Sequence, residues 1–225
     1  MILDAFKFTN SLFVGNVSKF LIVVFPMFIL QFFVYLVFTS VPGNEFGTTT
    51  SIAAQGQQLI INLISLYAMP LCILLIDDIH KKRSRPISNY FTHALFFFLR
   101  IIFISFITVF AIVFGLIFFI IPGFYIYARL VFAPFFAVVT NIGTLDSVKK
   151  SVEITEQRGW IVLGYILALV MPLLFILIFI LIVPAVYLLP QNMHTYMAIV
   201  FSLSFLFYVY FTIYSYRIFI NLSSN

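Results

Sequence analysis

Six apolar segments, each about as long as a membrane-crossing helix, dominate this sequence. A helix needs about 20 residues to cross the hydrocarbon core of a bilayer. Helices are expected because backbone polar groups in lipid must be hydrogen-bonded within their own segment, and no period-two alternation indicates a barrel. The sequence therefore predicts an all-α, polytopic transmembrane helical bundle with about six spans, forming a single domain over 1–225. The predicted spans are 20–38, 59–76, 94–121, 124–139, 160–188 and 197–220.

Composition supports lipid as the solvent for most side chains. Hydrophobic residues make up 64% of the chain and charged residues only 8%, whereas soluble domains carry about 25% charged residues. A soluble fold of this length would still leave about a third of its surface facing water, and this composition could not cover that surface with polar groups. The single cysteine, Cys72, excludes an internal disulfide and a multi-cysteine metal site.

Cationic residues other than Arg129 are confined to alternate ends of the apolar segments. They lie before the first segment, between the second and third and near the start of the third at Arg100, between the fourth and fifth, and near the end of the sixth at Arg217. The loops at 39–58, at Pro122–Gly123 and at 190–195 contain none. Loops rich in Lys and Arg stay in the cytoplasm when a protein inserts into a membrane. The pattern predicts that both termini are cytoplasmic.

The third and fourth segments form one apolar run over 94–139, and their separation depends on Pro122–Gly123. Proline presets φ and glycine permits positive φ, so the pair favours a tight turn. The alternative is a re-entrant hairpin, which would leave five spans.

The loop between the fourth and fifth spans predicts a short cytoplasmic amphipathic helix over 145–158. Thr144 is a suitable N-cap, and Gly159 is a suitable C-terminal residue. Apolar residues recur at helical spacing and should form the face in contact with the membrane. These residues are Leu145, Val148 and Val152.

Arg129 is the one charge well inside an apolar span, which makes it a candidate functional residue. One hypothesis is that its long side chain reaches the outer headgroups or caps the hairpin. The other is a buried site for an anion or a partner. Gln31 and Asn62 are further polar candidates within spans. They would either join helices by hydrogen bonds or line a solute pathway with Arg129.

Asp77, Asp78, His80 and His93 lie around the loop between the second and third spans. Oxygen and nitrogen donors of this kind can bind a divalent metal, and paired carboxylates can transfer protons. The alternative is that the acids pair with the basic run that follows them, as charges at the ends of membrane helices often do.

That basic run is a candidate contact for anionic headgroups. Its members are Lys81, Lys82, Arg83 and Arg85. The simpler interpretation is that the run only fixes the orientation of the chain.

The pattern of motifs resembles the YciC family of uncharacterised bacterial inner-membrane proteins. The resemblance rests on Ile121–Gly123 followed by Ala133–Pro134, on Gly143–Ser151, on Gly159–Trp160, and on Asn10–Phe13 before the first span. It implies a multi-pass protein with six spans in the bacterial inner (plasma) membrane, and it implies no activity.

The sequence thus predicts a membrane protein with a structural or envelope-organising role, not an enzyme, with no catalytic, cofactor-binding or metal-binding residues. The first alternative is a small-solute or ion transporter or channel with Arg129 near the pathway. The second is a lipid-acting membrane enzyme that uses Asp77, Asp78 and His80. Membrane lipids are the expected partners, and the net charge of +5 comes from loops, so nucleic acid is not expected.

Overall fold

The computed structural model describes residues 2–39, 52–188 and 193–223, and these residues are helical with no strand among them. The all-α class is therefore confirmed. The cation-free loops predicted at 39–58 and 190–195 lie largely outside the described residues. In chain order the helices are α1 (Ile2–Gly15), α2 (Val17–Val23), α3 (Phe25–Thr39), α4 (Ile52–His80), α5 (Ile87–Phe118), α6 (Ile120–Leu130), α7 (Ala133–Val139), α8 (Thr144–Ile154), α9 (Gly159–Leu188) and α10 (Met193–Ser223).

Within the described residues, four stretches of helix are long and apolar enough to cross a membrane. They are Gln55–His80, Ile87–Ile117, Ile120–Val139 and Leu203–Ser223. The number rises to six if each of two bent pairs is one span. One pair is α2 with α3, bent by 46°, and the other is α8 with Gly159–Pro172, bent by 95°.

The outer surface of α5 is apolar, and several of its large side chains are exposed in the described part of the chain. Phe103, Phe106 and Phe110 follow one another along this helix, and all three are exposed. A continuous apolar surface of this kind would drive aggregation in water, whereas in a bilayer it faces acyl chains. The chain is an integral membrane protein.

The connection between α5 and α6 lies at Phe119, not at Pro122–Gly123 as predicted. Phe119 is extended, with φ −165° and ψ 156°. Pro122 is instead the third residue of α6, where a backbone N–H has no partner within the helix and its loss costs little. Gly123 packs closely against α5, because a Cβ at Gly115 would lie only 3.0 Å from the Gly123 Cα. The Pro-Gly pair begins a helix and permits close packing.

This close approach predicts that Gly115→Ala destabilises the protein by about 1–3 kcal/mol. The added methyl group would also lie 2.7 Å from Ile126 Cδ1. Gly164→Ala in α9 is the matched control, because no heavy atom lies within 4 Å of its new Cβ. It should be neutral, or stabilising by up to about 1 kcal/mol through helix propensity. Thermal unfolding in detergent, followed by circular dichroism, compares the two; equal effects would contradict the tight hairpin.

Two prolines explain where the predicted first and fourth spans are interrupted. The break between α2 and α3 precedes Pro26, and the break between α6 and α7 precedes Pro134. Each proline lacks the N–H that would bond to the carbonyl four residues earlier. Pro70, by contrast, lies inside α4, which continues past it.

An aromatic cluster around Phe219 of α10 joins α10 to α7. The Phe219 ring lies 5.0–6.3 Å, centroid to centroid, from four other rings. These belong to Phe132, Phe135, Phe136 and Tyr216. The buried residues Leu71–Ile76 of α4 belong to the same core. The core therefore includes the C-terminal part of α4, just before the buried polar residues Asp77 and Asp78.

Helix α8 covers Thr144–Ile154 instead of the predicted 145–158. Its N-cap is Gly143 rather than Thr144, with no side-chain hydrogen bond to the cap. Gly159 does not end this helix but begins α9. A Cβ at Gly159 would lie 2.7 Å from the ring of Tyr125, so glycine allows the start of α9 to pack against α6.

The face of α8 that is buried against the protein is not its apolar face. Leu145 is 65% exposed, and Val148 and Val152 are only partly buried. The fully buried face consists of small hydroxyl residues spaced four apart, which let the helices approach closely. These residues are Ser147 and Ser151, followed by Thr155 at the C-cap.

The segment before the first span is a helix that packs against the bundle. Asp4 of α1 forms an ion pair of 3.1 Å with Arg217 of α10. One turn and a half later, Asn10 accepts a hydrogen bond of 2.8 Å from the Tyr210 hydroxyl. The two helices therefore run side by side, and the beginning of α1 lies beside the end of α10.

Candidate functional site

Two adjacent carboxylates, Asp77 and Asp78, are buried in the last turn of α4, with 6% and 1% of their surface exposed. They directly follow the apolar run Leu71–Ile76, which carries them into the core. Burying a carboxylate is costly unless it is paired and hydrogen-bonded. The partners of these two acids therefore determine what chemistry they can perform.

Asp77 has three partners. The Lys81 ammonium lies 2.7 Å from Oδ1, and the Arg83 guanidinium lies 3.7 Å from Oδ2. The hydroxyl of Tyr216 on α10 donates a hydrogen bond of 2.7 Å to Oδ1. Both oxygens are thus occupied by groups of the chain itself, and α4 is fastened to α10.

Asp78 is paired with Arg85. The Arg85 Nε lies 2.9 Å from Oδ2 and forms an ion pair with it. The geometry of this contact is not that of a hydrogen bond. Its Nη2 donates a longer bond of 3.4 Å to Oδ1. The guanidinium also lies 5.5 Å from the ring centre of Tyr90, which helps to fix its position. Its Nη1 is buried and has no hydrogen-bond partner among the described residues.

The backbone after α4 turns the basic run back toward these acids. The Arg83 N–H donates to the Asp78 carbonyl at 2.8 Å, and the Lys82 N–H donates to the Ile79 carbonyl at 3.2 Å. This is a Schellman turn, which satisfies the last carbonyls of a helix. In such a turn the residue with the left-handed backbone conformation is usually glycine, but here it is Lys82, with φ 53°. Adopting that conformation costs a non-glycine residue about 1–2 kcal/mol.

The two histidines of the predicted cluster do not join the acids in a ligand set. The ring of His80 packs between Phe8, at 5.7 Å, and Tyr216, at 5.8 Å. His93 is exposed and its Nδ1 contacts the Asn89 carbonyl of its own helix at 2.8 Å. In the described part of the chain, no group of three His, Cys, Asp or Glu side chains could hold a metal ion.

Tyr216 is the member of this site that sequence reasoning missed as a partner of Asp77. A tyrosine near the end of a span is typical of the membrane interface, so the position of Tyr216 in the sequence indicates no partner within the protein. Its burial at 1% exposure requires a partner for the hydroxyl, and the carboxylate is that partner. Their sequence separation of 139 positions leaves no local signal of this contact.

Arg129 reaches α8 and not the outer headgroups, which corrects the snorkelling hypothesis. Its Nη2 donates a hydrogen bond of 3.0 Å to the carbonyl of Val152, in the last turn of α8. In return, the Ser151 hydroxyl donates 2.7 Å to the Arg129 carbonyl. A cation is favourable at a helix C-terminus, where carbonyls lack partners. The Arg129 Nε remains buried without a hydrogen-bond partner in the described ranges.

Gln31 and Asn62 take separate roles and do not meet Arg129 through any described contact. Gln31 is buried and donates a hydrogen bond of 2.8 Å from α3 to Ser65 on α4. Asn62 is exposed and accepts a bond of 3.1 Å from Gln58, one turn earlier on the same helix. Gln31 therefore joins two helices, which is the simpler of the two predicted roles.

The basic run divides into paired and available cations. Lys81 and Arg85 neutralise Asp77 and Asp78, and the Arg85 Nη1 is left without a hydrogen-bond partner among the described residues. Arg83 contacts Asp77 only weakly and is mostly exposed.

The arrangement can fasten helices together, and it leaves few groups able to perform chemistry. A general base needs a lone pair free for the substrate, and a metal needs several open donors. Both carboxylates here already face cations of the same chain.

Comparisons with protein-family models, curated proteins and solved structures found no match for this chain.

Proposed function

We propose that this chain is a non-catalytic, envelope-organising protein of the bacterial inner membrane. The observation that carries the proposal is the internal pairing of its buried charges. Asp77 and Asp78 are held by Lys81, Tyr216 and Arg85. Buried charges arranged in this way stabilise one geometry, and they do not offer free groups to a substrate or a metal.

Two further polar side chains support the same function. Gln31 bonds to Ser65 between α3 and α4, and Arg129 bonds to Val152 between α6 and α8. Transport sites usually gather several polar groups at one depth. Here the polar groups tie separate pairs of helices, as expected of a rigid scaffold.

Six spans with both termini in the cytoplasm are part of this proposal. The Asp4–Arg217 ion pair supports an even number of spans, since it brings the beginning of α1 to the end of α10. Five spans would place these two ends on opposite sides of the membrane. Each bent pair then counts as one span. The cations at this end of the bundle support a cytoplasmic location.

The resemblance to the YciC family agrees with this proposal in span number and in location. The Pro-Gly pair and the α8 segment that carry the resemblance both have structural roles here. Gly123 packs against Gly115, and Ser151 bonds to the Arg129 carbonyl.

A substitution of His80 separates a structural role from a chemical one. His80→Phe keeps an aromatic ring between Phe8 and Tyr216 but removes every proton-transfer or ligand role. Cells that lack the chain should become sensitive to detergent or osmotic stress. His80→Phe should restore resistance as fully as the unmodified chain. His80→Ala is the matched control, and it should lower thermal stability because the ring contacts are lost.

Two results would contradict the proposal. One is unchanged envelope resistance in cells that lack the chain. The other is failure of His80→Phe to restore resistance although the variant is inserted and folded normally, which would indicate chemistry at this residue.

One observation favours transport as a second candidate function. A cavity of about 260 Å³ lies between α4, α5, α6–α7 and α10, and its wall is mostly apolar. Tyr127, Leu130 and Val131 line it, but Arg129 does not. A transported solute would therefore be apolar, not anionic. Ser105→Leu would fill the cavity, so it should abolish solute uptake into proteoliposomes if transport is the function and leave envelope resistance intact if it is not.

A further inference from the structure

A pocket of about 240 Å³ lies between α2, the end of α4 and the start of α5. Its wall has a polar part and an apolar part. Among the described residues no acid lines it. Three cations without an acid favour an anionic ligand. The polar part consists of Lys19, Arg83, Ser84, Arg85 and Tyr90, and the apolar part consists of Ile22, Val23, Leu75, Ile79 and Ile87.

Two of the three cations are not neutralised by the chain. The Lys19 ammonium has no ion pair or hydrogen bond with any residue in the described ranges. Arg83 lies 3.7 Å from an Asp77 oxygen, but Lys81 already contacts that carboxylate at 2.7 Å. A long ion pair with a mostly exposed guanidinium contributes little, even though the Asp77 carboxylate is buried. Lys19 and Arg83 can therefore turn to a ligand without breaking a strong contact.

Arg85 supplies a donor that is already positioned. Its Nε and Nη2 face Asp78, whereas its Nη1 is buried and has no hydrogen-bond partner within the described residues. A guanidinium has five N–H donors and can hold a carboxylate on one edge and a phosphate on another. A buried donor without a partner is uncommon in folded proteins and indicates a bound group.

The start of α5 adds a favourable electric field. Ile87 is the first residue of this long helix and lines the pocket. The N-cap, Pro86, makes no side-chain hydrogen bond to the first turn. The N-terminus of a helix carries partial positive charge and free N–H groups, and these favour anions.

The apolar part of the wall indicates that the ligand also has an apolar portion. Ile22 and Ile87 are exposed beside the cations. A soluble anion would leave these side chains without a role, whereas a lipid would cover them with an acyl chain. The cavity has room for a phosphate group but not for whole acyl chains, which would extend into the bilayer.

We propose that this pocket binds the phosphate of an anionic phospholipid. Lys19, Arg83 and the Nη1 of Arg85 contact the phosphate oxygens, and the acyl chains run past Ile22. The inference requires insertion in a membrane but does not depend on the envelope role. It also separates the basic run into Arg83 and Arg85, which face the lipid, and Lys81, which pairs with Asp77.

Native mass spectrometry of the detergent-solubilised protein, titrated with phosphatidylglycerol or phosphatidylcholine, tests this site. The unmodified chain should bind the anionic lipid more tightly. Lys19→Gln with Arg83→Gln should weaken that binding about fivefold for each cation, or about 25-fold together. Arg85 is left intact because its loss would leave Asp78 buried without a partner. The matched control is Lys149→Gln with Lys150→Gln, which removes the same charge from α8 and should change binding little.

Three outcomes would overturn the inference. An equal loss in the α8 control would show general surface attraction. Both lipids carry a phosphate, so equal binding of the two would show that net negative charge is not selected. Full displacement by inorganic phosphate, with Ile22→Ser having no effect on lipid binding, would assign the pocket to a soluble anion. Normal thermal unfolding of each variant excludes loss of fold as the cause.

Discussion

Asp78→Asn should lower the free energy of unfolding by about 3–5 kcal/mol, because it leaves the guanidinium of Arg85 without its counter-ion. Asp78 is 1% exposed, and the Arg85 side chain is 21% exposed. Neither group can recover the lost interaction from solvent. Unfolding by heat or denaturant in detergent, followed by circular dichroism, measures the change.

The matched control is Asp4→Asn, which breaks an exposed ion pair at the same end of the bundle. Asp4 is 59% exposed, so its loss should cost no more than about 1 kcal/mol. The double change Asp78→Leu with Arg85→Met should recover most of the stability, since apolar residues often replace a buried pair without loss. Similar costs for Asp78→Asn and Asp4→Asn would contradict the assignment of Asp78 to a buried pair.

Arg129→Met should lower the free energy of unfolding by about 1.5–3 kcal/mol, the usual cost of removing a hydrogen bond from a charged donor. The loss arises because the Val152 carbonyl, in the last turn of α8, would lose the 3.0 Å bond from the guanidinium and keep only the 3.1 Å bond from the Thr155 hydroxyl. Hydrogen exchange should quicken in α8 before it does in α4. Methionine retains much of the apolar stem, so the change isolates the guanidinium.

Arg158→Met is the control for Arg129, since Arg158 is exposed at the turn between α8 and α9. It should leave both stability and exchange in α8 nearly unchanged. If Arg129→Met also leaves them unchanged, the guanidinium does not cap α8, and a role in binding an anion becomes the better explanation of its position.

Properties that depend on segment length and hydrophobicity could be predicted from the sequence. In lipid a long apolar run forms a helix, because its backbone polar groups must be hydrogen-bonded within the segment. Helices α4, α5 and α10 therefore appear where hydrophobicity predicts them. Their ends differ by several residues because hydrogen bonds and turns determine where helices stop. The Schellman turn at Lys82 is an example, since no glycine marks it.

Tertiary contacts determined the features that sequence analysis predicted wrongly. Pro122–Gly123 has the composition of a turn, but the approach of Gly115 to Gly123 places the connection at Phe119. The sequence analysis also did not predict the buried face of α8. This face contains Ser151, whose hydroxyl donates a hydrogen bond to a carbonyl 22 residues away. Neither contact leaves a trace in local composition.

In the candidate site, too, local contacts could be predicted from the sequence and long-range contacts could not. The proximity of the acids to the basic run was visible in sequence, and Lys81 pairs with Asp77 four residues away. The contribution of Tyr216, from the opposite end of the chain, was not. Separate partners for Arg129 and Gln31 could be established only from packing, because one-dimensional spacing does not show which helices are neighbours.

Cysteine accessibility in intact cells tests the membrane arrangement most directly. Cys72 is buried and is the only native cysteine, so Cys72→Ser provides a background without thiols. Thr48→Cys, Ser84→Cys and Ser223→Cys each add one site to it. With a membrane-impermeant maleimide, we expect Thr48→Cys to be labelled in intact cells, and the other two only after the membrane is opened. Labelling of Ser84→Cys in intact cells would place the acidic pair and its basic partners outside the cell and contradict the account.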